Sequence, residues 1–146
     1  MREIKFRGYS KSFSMMFDYD MLEMASAGMV DICKRELKKI DPEATELQMG
    51  LFLPTYDKDL ILMQYTGLKD SNGKEIYEGD IVKIEDYFGE DMIGKVIYDE
   101  TEACYWFMKG NERNHFKMTF DLESYVHVVI GNIYENPKLL EGIDND

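Results

Sequence analysis

The side chains able to do covalent or metal chemistry are few in this 146-residue chain. Its only thiols and imidazoles are Cys33, Cys104, His115 and His127. A zinc site needs four such ligands, usually delivered as close pairs. No two of these four are paired at that spacing, so the sequence points away from zinc. Cys104 with His115 or His127 would make a thiolate–imidazole nucleophile, but no local signature supports the pairing. The segment from Asp70 to Asp80 is rich in oxygen, with Asp70, Asn72, Glu75, Glu78 and Asp80. A calcium loop puts glycine at its sixth position, with ligands at the first and twelfth. Setting Gly73 sixth leaves Leu68 first and Gly79 twelfth, so both end ligands are missing. No glycine loop of the phosphate-cradling kind is present. The expectation is a non-enzyme with no catalytic residue, no metal and no cofactor.

Aromatic side chains carry the stronger signal. Tyr105, Trp106 and Phe107 are consecutive, so a strand must send Tyr105 and Phe107 to one face and Trp106 to the other. Cys104 and Met108 join Trp106, which makes both faces apolar. One face is expected to line a core and the other to be covered by the same chain, or else to meet another protein. Tyr87-Phe88-Gly89, in an acidic loop, is the second candidate contact. Trp106, Tyr87 and Phe88 are therefore the candidate binding residues.

The elements that would position them follow from periodicity. Ile4 and Phe6 alternate with charged residues, the pattern of a strand with one buried face. A turn at Gly8–Ser12 and a returning strand at 13–17 come next. Leu22, Ala25, Met29, Cys33, Leu37 and Ile40 fall on one stripe of a helix over 20–40, with Asp20 as N-cap and Asp41-Pro42 as its stop. Short apolar runs at 47–53 and 60–65 read as strands. Asn72-Gly73 predicts a tight hairpin, because both residues tolerate positive φ. Strands are then expected at 81–85, 92–98, 103–108, 116–120 and 127–134, with a helical turn at 121–125 and a fraying tail from Asn136. Five strands at this spacing suggest a small antiparallel barrel. The expected fold is α+β and mainly β, with an N-terminal strand-helix-strand region (1–66) packed on a C-terminal SH3-like barrel (67–146).

Charge narrows the function classes. The formal net charge is −12, and it is uneven: residues 1–40 carry +2, while 41–80 and 81–146 carry −6 and −8. Acidity opposes non-specific nucleic-acid binding, which needs cations to displace counterions. No run approaches the roughly 18 apolar residues that span a bilayer. The opening residues lack the apolar core of a secretory signal, so a reducing cytoplasm is expected, with both cysteines reduced.

Three segments bear a specific resemblance. They are Arg2-Glu3-Ile4-Lys5-Phe6-Arg7, the run from Met63 to Val82 built around Gly67-Leu68-Lys69-Asp70-Ser71-Asn72-Gly73 and Glu78-Gly79-Asp80, and Val129-Ile130-Gly131-Asn132-Ile133-Tyr134-Glu135-Asn136-Pro137. Together they resemble the YopX family of bacteriophage and prophage proteins. Arg7 is followed by Gly8-Tyr9-Ser10, where the family usually has Ala-Trp-Asp. The resemblance implies a phage or prophage origin, a bacterial cytoplasm and an SH3-like barrel, and it carries no biochemical activity. The middle motif also has a purely mechanical reading. Gly67, Gly73 and Gly79 would sit where positive φ is needed, and Gly131-Asn132 would mark a bulge or a close backbone approach.

The function these features favour is that of a phage accessory protein, a non-catalytic module for protein interaction or oligomerisation. Its partner would be a second copy or a host or phage protein. The alternative is a nucleic-acid-related role. Arg2, Lys5, Arg7, Lys11, Lys34, Arg35, Lys38 and Lys39 would bind nucleic acid, or the acidic barrel would compete with DNA for a host protein.

Overall fold

In the computed structural model the described residues are 3–11, 14–20, 22, 39, 42, 60–85, 89, 91–110, 112–117 (backbone only) and 125–141. They form strands almost throughout, in two antiparallel sheets. The strands are β1 (Phe6–Ser10), β2 (Met15–Phe17), β3 (Leu60–Lys69), β4 (Glu75–Tyr77), β5 (Asp80–Glu85), β6 (Met92–Asp99), β7 (Cys104–Lys109), β8 (Glu112–Lys117) and β9 (Val126–Asn132). One sheet has the order β2-β1-β3-β4 and the other β8-β7-β6-β5-β9. The chain divides into two compact units, Lys5–Met63 and Met1–Ile4 with Gln64–Asp146.

In the smaller unit β1 pairs with β2 through Gly8↔Phe17, Tyr9↔Met16 and Ser10↔Met15. Burial follows that pairing rather than the alternation ahead of it. Ile4 and Phe6 are exposed, whereas Gly8, Tyr9 and Ser10 are buried. The expected buried face of Ile4 and Phe6 is therefore corrected: Ile4 precedes the strand, and Phe6, its first residue, is exposed. Phe17 is buried against Met15, Leu22 and Leu60. Most of the predicted 20–40 helix lies outside the described residues. Its start is visible: Tyr19, Asp20 and Leu22 are helical, and the Leu22 N–H donates to the Asp18 carbonyl at 3.1 Å. The cap position is thus Asp18 rather than Asp20. The 47–53 strand and residues 121–124 of the expected helical turn also lie outside the described residues.

In the larger unit the core gathers Ile76, Val82, Ile84, Val96, Tyr105, Phe107 and Val129, with Leu68, Met92 and Tyr125 packed against them. Full burial of an apolar side chain of this size contributes about 2 kcal/mol, so the cluster is the unit's main source of stability. Register explains which residues enter it. Val82 faces Gly94 and Val129, and Val96 faces Phe107. Tyr98 stands opposite Tyr105 in an edge-on contact with ring centroids 5.1 Å apart. The expected strands over 81–85, 92–98 and 103–108 are present almost unchanged as β5, β6 and β7. β8 (Glu112–Lys117) starts earlier than the 116–120 strand expected, and residues 118–120 lie outside the described residues. Instead of fraying at once, the tail forms a short 3-10 helix, Pro137–Leu140, begun by the preset φ of proline.

Two close passages govern what the strands tolerate. A Cβ placed on Gly94 would lie 2.6 Å from the Met108 carbonyl oxygen and 2.6 Å from the Phe107 ring. At the β6–β7 turn, Ala103 has φ of 52°, a left-handed conformation that costs a residue with a Cβ about 1 kcal/mol. That turn is otherwise well capped: the Asp99 carboxylate accepts from the N–H of Thr101 at 2.8 Å and from its hydroxyl. Opposite effects are expected from two single-methyl changes. Gly94→Ala should lower unfolding stability by about 3 kcal/mol, because backbone cannot retreat. Ala103→Gly should raise it by up to about 1 kcal/mol. Urea unfolding of the full chain measures both.

Candidate functional site

The densest assembly of polar side chains sits where the β3–β4 connection meets β9. The connection is a turn over Asp70–Gly73, with the Gly73 N–H donating to the Asp70 carbonyl at 2.9 Å. The Asp70 N–H donates to the Lys74 carbonyl at 2.8 Å, and Gly73 has φ of 83°. Among the described residues, positive φ outside glycine occurs only at Ser14 and Ala103. The hairpin expected at Asn72-Gly73 is therefore present between β3 and β4, but only Gly73 is left-handed, not Asn72. The Asp70 side chain caps it. One oxygen of its carboxylate accepts from the N–H groups of Asn72 and Lys74, each at 2.9 Å. The other accepts from the Val129 N–H of β9 at 3.0 Å.

Ser71 and His127 complete this joint. The Ser71 N–H donates to the His127 carbonyl at 2.9 Å, and the His127 N–H donates to the Ser71 hydroxyl at 3.0 Å. The His127 ring is buried, with Nδ1 2.8 Å from the Tyr125 carbonyl oxygen and Nε2 3.1 Å from that of Lys69. Asp70, Ser71 and His127 are the residue types of a hydrolytic triad, but their geometry is a different one. In a triad the imidazole joins the hydroxyl to the carboxylate. Here the ring meets two backbone carbonyls, the hydroxyl serves a backbone amide, and the carboxylate serves three.

The electrostatics of Asp70 agree with a clamp. Burial pushes its carboxyl upward, but the N–H groups of Val129, Lys74 and Asn72, with the charge of His127, outweigh that and hold it below the ordinary carboxylate value.

A second joint lies one turn further along. Glu78-Gly79 links β4 to β5, with Gly79 at φ of 83°. The Gly79 N–H donates to the Val96 carbonyl at 2.8 Å, and its carbonyl accepts from the Ile133 N–H at 2.9 Å. The buried Asp80 accepts from the Tyr77 N–H at 2.8 Å and stands opposite Asn132. The Asn132 side chain accepts from the N–H groups of Tyr134 and Glu135 and donates to the Glu135 carboxylate. Of the two readings of Gly131-Asn132, the bulge is present, with the register shifting between Ile81 and Val82. The group close to Gly131 is a side chain, and a Cβ there would lie 2.6 Å from Asn136 Oδ1. Gly67, at φ of 87°, marks a bulge in β3 rather than a turn. There the buried Thr66 hydroxyl replaces ladder bonds, donating to the Ile76 carbonyl at 2.8 Å and accepting from Leu68 N–H at 3.2 Å.

Of the three residues selected from the sequence as binding candidates, Trp106 is half-buried on β7, opposite Ile97 and on the face away from Tyr105 and Phe107. Tyr87 and Phe88 lie outside the described residues. Cys104 shares the Trp106 face, while His127 shares the inner face with Ile84. The strand registers thus place that cysteine and that histidine on opposite faces. Among the described residues no group of three or more His, Cys, Asp or Glu is arranged to hold a metal ion, and no helix is long and apolar enough to cross a membrane. Of the basic set, the Lys5 ammonium lies over the Tyr19 ring, 5.8 Å from its centroid, and Arg7 points to the Met63 sulfur at 3.9 Å. The clamp has one signal in the sequence, an aspartate directly before Ser-Asn-Gly, a pattern suited to capping its own turn.

These features define a mainly β protein of two antiparallel sheets, in which buried polar side chains fasten turns to strands. The chain belongs to the YopX family, whose model, described as "YopX protein", matches residues 5–141. Among solved structures it is similar to the crystal structure of protein EF1440 from Enterococcus faecalis. The identity is 21%, the TM-score 0.57, and the match covers 97% of this chain and 100% of that one. At that identity the likeness shows the fold alone. No curated protein matches the chain.

The clamp makes a definite prediction. Asp70→Asn replaces one acceptor oxygen by an amide donor that faces backbone N–H. It should cost about 2 kcal/mol of unfolding stability. In the native protein the Asp70 contribution is present above the unfolded carboxylate range and is lost as pH falls through the lower folded value. Unfolding the variant and the parent from pH 7 downwards should show their difference shrinking towards acid.

Proposed function

We propose that this member of the YopX family is a non-catalytic interaction module, a phage or prophage accessory protein acting in the bacterial cytoplasm. Its larger unit would serve as an SH3-like barrel. The observation that carries the non-catalytic reading is the use of Asp70, Ser71 and His127: each is committed to backbone partners. A side chain holding the fold in this way is poorly placed to exchange protons with a substrate.

The interaction reading rests on β7. Its inner face is filled by Tyr105 and Phe107, and its outer face presents Trp106 and Met108, next to Ile97 and Lys95 of β6. Large aromatic and methionine side chains are enriched at protein interfaces and depleted on solvated sheet faces. The occupant proposed first is a second copy of the chain, with a host or phage protein as the other possibility. Nucleic acid is disfavoured by the net charge of −12.

Native mass measurement and light scattering of the full chain over a range of concentrations test this reading, with Trp106→Ala beside it. The expected result is a defined oligomer whose mass falls in a variant that keeps the parent circular dichroism. If the protein instead stays monomeric and a lysate pull-down returns no partner that Trp106→Ala releases, the interaction reading fails. A loss of about 3 kcal/mol or more in Trp106→Ala would make the residue core instead.

A further inference from the structure

The His127 ring poses a proton-counting problem. Both of its nitrogens lie within hydrogen-bond distance of backbone carbonyl oxygens, those of Tyr125 and Lys69. A carbonyl oxygen only accepts, so each contact needs an N–H from the ring. A neutral imidazole carries one N–H and one lone pair. In either neutral tautomer a lone pair faces an oxygen in a buried position, at 2.8 or 3.1 Å. The imidazolium carries two N–H groups and satisfies both contacts.

We propose that His127 works as a proton-dependent clasp, closed as the imidazolium, which ties the β3–β4 turn to β9 and loosens when the ring loses its second proton. The place of the ring in the chain gives the clasp its reach. Lys69 ends β3, Tyr125 immediately precedes β9, and His127 lies within β9, so one side chain joins segments 58 residues apart. The same turn is fastened to β9 by Ser71 and by Asp70, and loss of the ring contacts leaves those bonds to hold it alone.

Among the described residues, few charged groups face the ring. On the turn side, Asp70 supplies a buried carboxylate near enough for the His127 charge to act on it, while Lys69 and Lys74 are exposed. On β5 the residue opposite is the apolar Ile84. Its neighbours Lys83 and Glu85 take the other face, where Lys83 is paired with Asp91 at 2.8 Å. From the segment before β9 the described contact is Tyr125, through its carbonyl.

Two measurements on the full chain test the clasp. The first is nitrogen-15 NMR of the imidazole rings near pH 6, with His115→Gln used to assign the signals, since the chain has two histidines. Both His127 ring nitrogens should carry protons, and both protons should exchange slowly. The second compares chemical unfolding of the parent with His127→Gln from about pH 5.5 to 8.5, a window set by the histidine range. A proton held in the folded state and released on unfolding stabilises at the acidic end, and that advantage disappears as pH rises. The folding equilibrium constant of the parent relative to the variant should therefore fall with pH, by at most about tenfold per pH unit for one proton. A single protonated nitrogen on His127 near pH 6, or a parent-to-variant ratio that stays flat across the window, overturns the proposal. Should His127→Gln fail to fold, the ring spectrum of the parent decides alone.

Discussion

The fold of the larger unit depends on one buried carboxylate. Asp70 gathers three backbone N–H groups, two from its own turn and one from β9. Val129 is buried, and its N–H would lack an acceptor on that side of β9 without Asp70. An unsatisfied buried donor costs about 1–3 kcal/mol, so the carboxylate stabilises two elements at once. It shapes the turn and it occupies an edge of the sheet. Edge strands are liabilities because their free amides template aggregation. Here the amide edge of β9 is met by Asp70 and Ser71 side chains, which cannot propagate a sheet.

The same device recurs along the chain. Asp80 caps the link from β4 to β5, Asp99 the β6–β7 turn, and Asn132 the turn after β9. Each is a short polar side chain accepting from backbone N–H groups that the sheet ladder leaves over. Four such caps explain how a unit with strands as short as β4 keeps a fixed register. They also change the meaning of the acidity. Part of the negative charge of the C-terminal 106 residues is internal: Asp70, Asp80 and Asp99 are buried. Charge that serves as a solubility device is the remainder, in exposed positions such as Glu85, Asp91, Glu100 and Glu102.

Strand positions in the larger unit were legible in the sequence because apolar β-branched and aromatic residues mark them without ambiguity. Val82, Ile84 and Val96 fall on the inner face, and the split between Tyr105 with Phe107 and Trp106 on opposite faces follows from strand geometry alone. What could not be read depends on pairings across the chain. Asp70 looks like a solvated turn acid until Val129, 59 residues away, is brought to it. Gly94 resembles an ordinary strand glycine until Met108 and Phe107 are seen to leave no room. Ala103 offers no sign of its left-handed backbone, because nothing in an alanine favours that conformation. In the N-terminal region alternation misled, since Ile4 precedes β1 and Phe6, its first residue, is exposed. The candidate site was legible only in part: Trp106 has the position expected on β7, and the clamp was read as separate acids and a hydroxyl.

The resemblance that identified the family takes on a physical meaning at the two joints. The run from Met63 to Val82 and the run from Val129 to Pro137 are far apart in sequence, yet they meet repeatedly. Asp70 meets Val129, Ser71 meets His127 just ahead of the second run, Gly79 meets Ile133, and Asp80 stands opposite Asn132. Within each run the glycines and short polar residues stand at bulges, turns and caps, where other residue types would lose a bond or collide. The two runs are therefore two halves of one mechanical part. Motif residues occupied in this way describe how the protein folds and say nothing of what it meets. The interaction proposed above therefore turns on segments outside the two runs, such as the outer face of β6 and β7 around Trp106.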